Sequence, residues 1–139
     1  MSEVAIRAAQ PGEFPAVLEL WREADATPSA TDDIAGLETL YAHDPQALLV
    51  AVDDTGLLGT VIVAWDGWRG AMHRLAVAPT ARRRGIAQAL VEAGEQRLHR
   101  LGARRVNALV NTAREPAVAL WERADYVHDT RIGRYVKSV

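Results

Sequence analysis

The sequence predicts an α/β (α+β) fold, a mixed sheet with helices packed on it. Three observations carry that expectation. Short apolar runs of strand length alternate with segments whose apolar residues recur at helical spacing. Asp/Gly clusters join neighbouring runs as hairpins. One run, Leu75-Ala76-Val77, passes through a glycine-containing turn into a long amphipathic pattern, the order of a strand feeding a helix.

The elements follow in order. Val4 to Ala8 alternates apolar and polar residues as a first strand. Phe14, Val17, Leu18 and Trp21 keep helical spacing, with Pro15 suited to a first turn. After a polar loop from Asp25 to Asp33, Ile34, Leu37 and Tyr41 define a second short helix. Ala47 to Val52 reads as a strand, Asp53-Asp54-Thr55-Gly56 as its turn, and Leu57 to Trp65 as the answering strand. Asp66-Gly67-Trp68-Arg69-Gly70 turns the chain again into a strand from Ala71 to Val77. A long helix spans roughly Arg84 to Leu101, stopped by Gly102. Arg105 to Val110 is a strand, Pro116 to Ala124 a helix, and Tyr126 to Val136 a closing strand or pair. That makes six to seven strands and four helices.

The 139 residues show no linker, repeat or low-complexity stretch, which predicts one domain over positions 1–139. A hydrophobic share of 49% and a charged share of 24% are those of an ordinary globule. A net charge of −2 argues against a general nucleic-acid binder. The absence of cysteine excludes disulfides, thiolate metal sites and cysteine nucleophiles. No apolar segment approaches the ~20 residues that span a bilayer, so no membrane partner is expected. Met1 to Arg7 lacks a signal-peptide core, and the expected location is the cytoplasm.

Against that near-neutral balance, Arg82-Arg83-Arg84-Gly85-Ile86-Ala87 stands out. A helix start exposes unpaired N–H groups and the positive end of its dipole. Gly85 permits close approach of a ligand to the backbone, and three arginines add charge. This is a candidate seat for a pyrophosphate.

Arg82-x-x-Gly85-x-Ala87 resembles the acetyl-CoA signature of the GCN5-related N-acetyltransferases (GNAT), Gln/Arg-x-x-Gly-x-Gly/Ala. The stretch from Ala117 to Tyr126 is similar to the family's second motif, Ala-x-x-Leu-Tyr-Glu-x-x-Gly-Phe/Tyr. Pattern, flanking strand, long helix and length agree over essentially the whole chain. Leu20-Trp21-Arg22-Glu23 and Asp66-Gly67-Trp68-Arg69-Gly70 resemble a small bacterial branch near the ribosomal-protein alanine N-acetyltransferases.

The resemblance implies a GNAT fold with a mostly antiparallel sheet, and acetyl-CoA as co-substrate. The backbone of Leu75, Ala76 and Val77 would take the pantetheine arm as if it were another strand. N–H groups from Arg82, Arg83, Arg84, Gly85, Ile86 and Ala87 would hold the pyrophosphate. Arg114 stands where an asparagine often touches the pantetheine, and Trp121 would pack against the thioester arm. The plainer alternative for the arginine cluster is a basic helix start on a solvated surface. Many members of the family dimerise, so a homodimer is a candidate state.

Direct acetyl transfer needs a base for the ammonium, a donor for the oxyanion and an acid for the thiolate. The candidate base is His73, because period-two alternation puts Ala71, His73, Leu75 and Val77 on one face. A half-buried histidine bonded beside the sheet is the competing reading. The resemblance places the oxyanion donor at a backbone N–H near Val77. Trp121 replaces the family's tyrosine acid, and an indole is no useful acid at neutral pH. Tyr126 and Asp125 replace the usual phenylalanine and glycine, with Tyr126 read chiefly as packing.

For the acceptor, the fold points to loops carrying Asp25, Asp32, Asp33 and Asp66, with Trp65 and Trp68. These would suit an amine through carboxylates and cation–π contact; ordinary loop chemistry is the rival. His43, His99 and His128 show no ligand spacing, so no metal is expected. The function expected is transfer of acetyl from acetyl-CoA to a primary amine, on a small molecule or a protein N-terminus. The alternative is a coenzyme A-binding regulatory or interaction module with little or no turnover, motivated by Trp121 and by Ala71 where many members carry glutamate.

Overall fold

A computed structural model describes residues 3–24 and 26–139. Its elements are β1 (Ala5–Ala8), α1 (Phe14–Glu23), α2 (Ile34–His43), β2 (Leu48–Asp53), β3 (Gly56–Trp65), β4 (Gly70–Val77), α3 (Ile86–Leu101), β5 (Val106–Ala108) and α4 (Glu115–Arg123). The strands form one sheet in the order β1-β2-β3-β4-β5. The first three pairings are antiparallel and β4–β5 is parallel, with α3 as the crossover. The mixed, mostly antiparallel sheet and the four helices are as expected.

The strand count is not. Among the described residues there are five strands rather than six to seven, because Tyr126 to Val136 joins no sheet. Its polar centre folds on itself: the Arg131 N–H and guanidinium both donate to Asp129, and the Ile132 N–H donates to the Asp129 carbonyl. Beyond it Ile132, Tyr135 and Val136 are exposed. The fifth strand is also shorter than its sequence pattern, which ran from Arg105 to Val110.

Local chemistry sets most boundaries. Pro15 and Pro116 occupy first turns of α1 and α4. Asp33 caps α2, its Oδ1 accepting from the Gly36 N–H at 2.7 Å. Gly102, at φ 104°, ends α3 in the left-handed region. The Asp53 carboxylate closes the β2–β3 hairpin on the Thr55 N–H at 2.9 Å.

Helices cover both faces of the sheet. On one, Trp21 of α1 reaches Thr60 of β3, and Phe14 meets Tyr41 of α2 edge to face at 6.0 Å. On the other, α3 lies so close that a Cβ on Gly94 would stand 2.7 Å from Met72 Cε and 2.9 Å from Val63 Cγ2. A Cβ on Gly59 would stand 3.1 Å from Leu90 Cδ1 and 3.2 Å from Ile86 Cγ2, both of α3. These glycines bring the start of α3 down onto β3 and β4, where the candidate site begins.

Candidate active site

β4 outruns its outer neighbour. The Gly70 N–H donates to Arg105 O at 3.0 Å and the Leu109 N–H to Met72 O at 3.1 Å, where pairing with β5 ends. Beyond Met72, β4 continues to Val77 with β3 on one side only. On the inner side, Ala78 donates to Leu58 O at 2.8 Å. By the two-residue alternation of a ladder, Ala76 shares the direction of Ala78, whereas Leu75 and Val77 turn their backbone groups to the free edge. Main-chain donors and acceptors are thereby offered to an extended ligand.

The strand carries a bulge at this place. Thr60 pairs with Ala76 but Ile62 pairs with His73, so Arg74 and Leu75 together oppose Val61. Arg74 takes φ 53°. The extra residue reverses the side-chain alternation beyond it, which corrects the expectation that Ala71, His73, Leu75 and Val77 share a face. Ala71, His73 and Ala76 lie on the α1 face, opposite Ala64, Ile62 and Thr60, while Val77 lies on the α3 face opposite Gly59.

β4 runs through one turn of 3-10 helix (Pro79–Ala81) into the arginine loop. Arg83 at φ 64° and Gly85 at φ 75° are both left-handed, and Gly85 is the residue that starts α3. No side chain caps that end, so the first N–H groups of α3 are left for another acceptor. A Cβ on Gly85 would meet nothing within 4 Å. The positive φ, rather than a neighbouring atom, therefore calls for glycine, and the space in front of the loop is open. Ile86 turns its side chain into the core, leaving its backbone to the site, and Ala87 follows in the first turn. Arg84 lies 3.4 Å from Asp53, whereas Arg82 and Arg83 make no ion pair among the described residues.

His73 is half-buried on the α1 face and has no hydrogen-bond partner among the described residues. Burial first, then the charges of Arg134 and Arg74, push its imidazole below the ordinary histidine value. It is thus poised neutral, with a lone pair to take a proton. Trp121 is 6% exposed and packs edge to face on Tyr126 at 4.8 Å. No described residue bonds its indole N–H, yet among the described residues no fully buried side-chain nitrogen lacks a partner, so that N–H keeps an accessible edge. The Tyr126 hydroxyl donates to Glu95 at 2.9 Å. Arg114 begins α4, with its guanidinium 3.5 Å from the Ala24 carbonyl at the end of α1.

The loop carboxylates serve the fold. Asp32 pairs with Arg74, Asp33 caps α2, and Asp66 accepts from the N–H groups of Trp68 and Arg69 at 2.8 and 2.7 Å. Asp25 lies outside the described residues. Trp65 at the end of β3 and Trp68 in the turn line a cleft of about 340 Å³ together with His43, Asp44, Asp66, Ala71 and Asn107. Ala71 is the neighbour of His73 along the α1 face, so the cleft opens beside the candidate base. Among the described residues no group of three His, Cys, Asp or Glu side chains is placed to hold a metal.

Several participants escaped the sequence reading. Thr60 and Arg74 fix the bulge, and Asn111 ties the exit of β5 to Thr27 in the α1–α2 loop at 3.0 Å. Nothing local in the sequence marks them, since each partner lies far along the chain.

Residues 14–126 match the model of the acetyltransferase (GNAT) family. An acetyltransferase of Yersinia enterocolitica is 32% identical over 121 residues, covering 87% of this chain and 86% of that one. Among solved structures, Ard1 from Thermoplasma volcanium superposes with a TM-score of 0.80 at 18% identity, over 89% of this chain and 82% of that one. An aminoglycoside N-acetyltransferase in complex with CoA gives a TM-score of 0.75 at 17% identity, over 100% and 97% of the two chains.

Proposed function

The chain belongs to the acetyltransferase (GNAT) family, and as an acetyl-CoA-dependent N-acetyltransferase we propose that it acetylates a primary amine, on a small molecule or a protein N-terminus. The observation that carries the reading is the free edge of β4 leading directly into a helix start with unclaimed N–H groups. An extended pantetheine arm has amides to pair with Leu75 and Val77, and its pyrophosphate suits the loop from Arg82 to Ala87. Arg82 and Arg83, which make no ion pair among the described residues, add charge there. Ile86 contributes backbone only, its side chain being buried, whereas Ala76 turns its backbone inward to β3 and its buried side chain to the core, so it takes no part in pairing the arm.

In this mechanism His73 takes the proton from the bound ammonium. The amine nitrogen then bonds to the acetyl carbonyl carbon, and the carbon–sulfur bond breaks. The departing thiolate finds the Trp121 indole N–H as a hydrogen-bond donor, and water carries to it the second proton that the attacking nitrogen gives up as the amide forms. Trp65, Trp68 and Asn107, in the cleft that opens at Ala71, favour an acceptor with an apolar or aromatic body, because the cleft's carboxylates, Asp66 and Asp44, are already committed to a turn and to an ion pair with Arg97.

Coenzyme A thiol release from acetyl-CoA across a panel of amines and N-terminal peptides tests this. With no cysteine, the protein adds no background to a thiol reagent. Acceptor-dependent release supports the reading; silence with acetyl-CoA bound favours a coenzyme A-binding module. One observation speaks for that second reading: the phenol at the α4 exit is tied to Glu95, which leaves no tyrosine acid there.

The family match from 14 to 126 supports one acetyltransferase domain. Among the described residues no helix is long and apolar enough to cross a membrane, and a cytoplasmic site of action accords with the absence of cysteine. A homodimer remains part of the proposal, to be read by sedimentation.

A further inference from the structure

Thr60 is 0% exposed and is the only polar residue buried as a whole among the described residues. Valine would fill the same space, so the hydroxyl has to be accounted for by what it bonds. It accepts from the Trp21 indole N–H at 2.8 Å and donates to the Arg74 carbonyl at 2.9 Å. That carbonyl belongs to the bulge residue of β4, at φ 53°. A non-glycine residue persists in the left-handed region only where its surroundings over-determine it. Here they do. Nε and Nη2 of Arg74 fork onto Asp32 at 3.1 and 2.8 Å, and Nη1 donates to the Thr27 carbonyl at 2.6 Å. The guanidinium also lies 5.5 Å from the centroid of the Trp21 ring.

The consequence falls on the next N–H. A trans peptide is planar, with its C=O and N–H pointing opposite ways. Holding the Arg74 carbonyl against Thr60 therefore aims the Leu75 N–H away from the α1 face, at the edge of β4 that β5 does not reach.

We propose that Thr60 and Arg74 are positioning residues for acetyl transfer, holding the Arg74–Leu75 peptide so that the Leu75 N–H donates to the thioester carbonyl oxygen of acetyl-CoA. The proposal rests on the acetyl-CoA reading above. That oxygen gains negative charge as the amine nitrogen bonds to the carbonyl carbon, and returns it as the carbon–sulfur bond breaks. A donor already fixed in direction stabilises the charged state without reorganising. Neither Thr60 nor Arg74 touches the substrate; each acts through the peptide.

The test is isotope-edited infrared spectroscopy of acetyl-CoA labelled at the acetyl carbonyl, bound to wild type, Thr60→Val and Thr60→Ser. The expected result is a carbonyl band shifted to lower frequency in wild type and Thr60→Ser. In Thr60→Val it returns most of the way to its position in free acetyl-CoA, with affinity changed by no more than about threefold. With an active amine, kcat of Thr60→Val falls by about 10²-fold while KM holds, and Thr60→Ser rescues it. An unshifted band in wild type, or an unaltered one in Thr60→Val, overturns the proposal. Failure of wild type to bind acetyl-CoA is a different result and overturns the cofactor reading itself. If Thr60→Val does not fold, Arg74→Gly keeps the bulge conformation accessible and removes the clamp. Its band is expected to relax towards the free position, and a wild-type band there overturns the proposal. The Trp21 indole N–H resonance reports independently whether the network has assembled.

Discussion

The Tyr126 hydroxyl donates to Glu95 Oε2 at 2.9 Å, pinning the exit of α4 to α3. Burial and the Glu95 carboxylate both push the phenol above its ordinary value, so it holds its proton. The group is a structural pin and not a substitute acid. Tyr126→Phe is expected to cost about 1 kcal/mol in urea denaturation and to leave kcat unchanged. A tenfold fall in kcat, with stability intact, would give Tyr126 the acid's role.

His73, the proposed base, is expected to set the acid limb of the pH profile. Its imidazole is pushed below the ordinary value of about 6.5 by burial and by two positive charges, so at neutral pH it is already a free base. Lowering the pH protonates it and removes the base, so kcat falls as pH drops through the shifted value and is level above it. Arg134→Ala removes one of the depressing charges and is expected to move this limb to higher pH. His73→Ala should lower kcat by about 10²-fold and erase the limb. Stopped-flow thiol release from pH 5 to 8 checks all three, and an unchanged limb in His73→Ala would assign it to another group.

Gly85 supports a sharper separation of fold from binding. At φ 75° any side chain there meets a backbone cost of about 1–2 kcal/mol, yet its Cβ would project into open space. Gly85→Glu puts length and negative charge in front of the helix start. We expect acetyl-CoA affinity to fall by about 10²-fold, equivalent to about 2.7 kcal/mol, with the circular dichroism spectrum kept. Calorimetry showing wild-type affinity would remove the pyrophosphate from this loop.

What the sequence made legible was local. Gly102 as a helix stop, Asp53 to Gly56 as a hairpin and the arginine loop before α3 were all readable, because each feature is made by residues within a few positions of one another. The strict alternation of β4 broke because one extra residue at Arg74 turns every later side chain over, and a bulge leaves no mark in polarity. Asp32, Asp33 and Asp66 were candidates for an amine site, but ion-pairing, capping and turn bonds claim them, as short carboxylates in loops commonly are claimed. Thr60 lies inside the strand-like run from Leu57 to Trp65, where nothing nearby marks it out. Its meaning comes from Trp21, 39 positions earlier, and Arg74, 14 later, a relationship that periodicity does not register. Tyr126 to Val136 misled in the other direction, since its apolar residues promised a strand that the turn at Asp129 interrupts.

Trp121 separates a working acetyltransferase from a coenzyme A-binding module. Its ring is packed against Tyr126, and in the proposed site its N–H, which no described residue bonds, would offer the thiolate a hydrogen bond but no proton. If thiolate departure limits turnover, Trp121→Tyr supplies an acid and should raise kcat by about tenfold or more, within the usual range for general acid catalysis. If this chain turns over with water as the proton source, the smaller ring mainly loosens the packing. Stability then falls by about 1–3 kcal/mol while kcat holds or drops. Single-turnover thiol release and urea denaturation on the same variant decide between these. A large gain would mark a site whose acid had been lost, and no gain alongside brisk wild-type turnover would make the indole part of the working machinery.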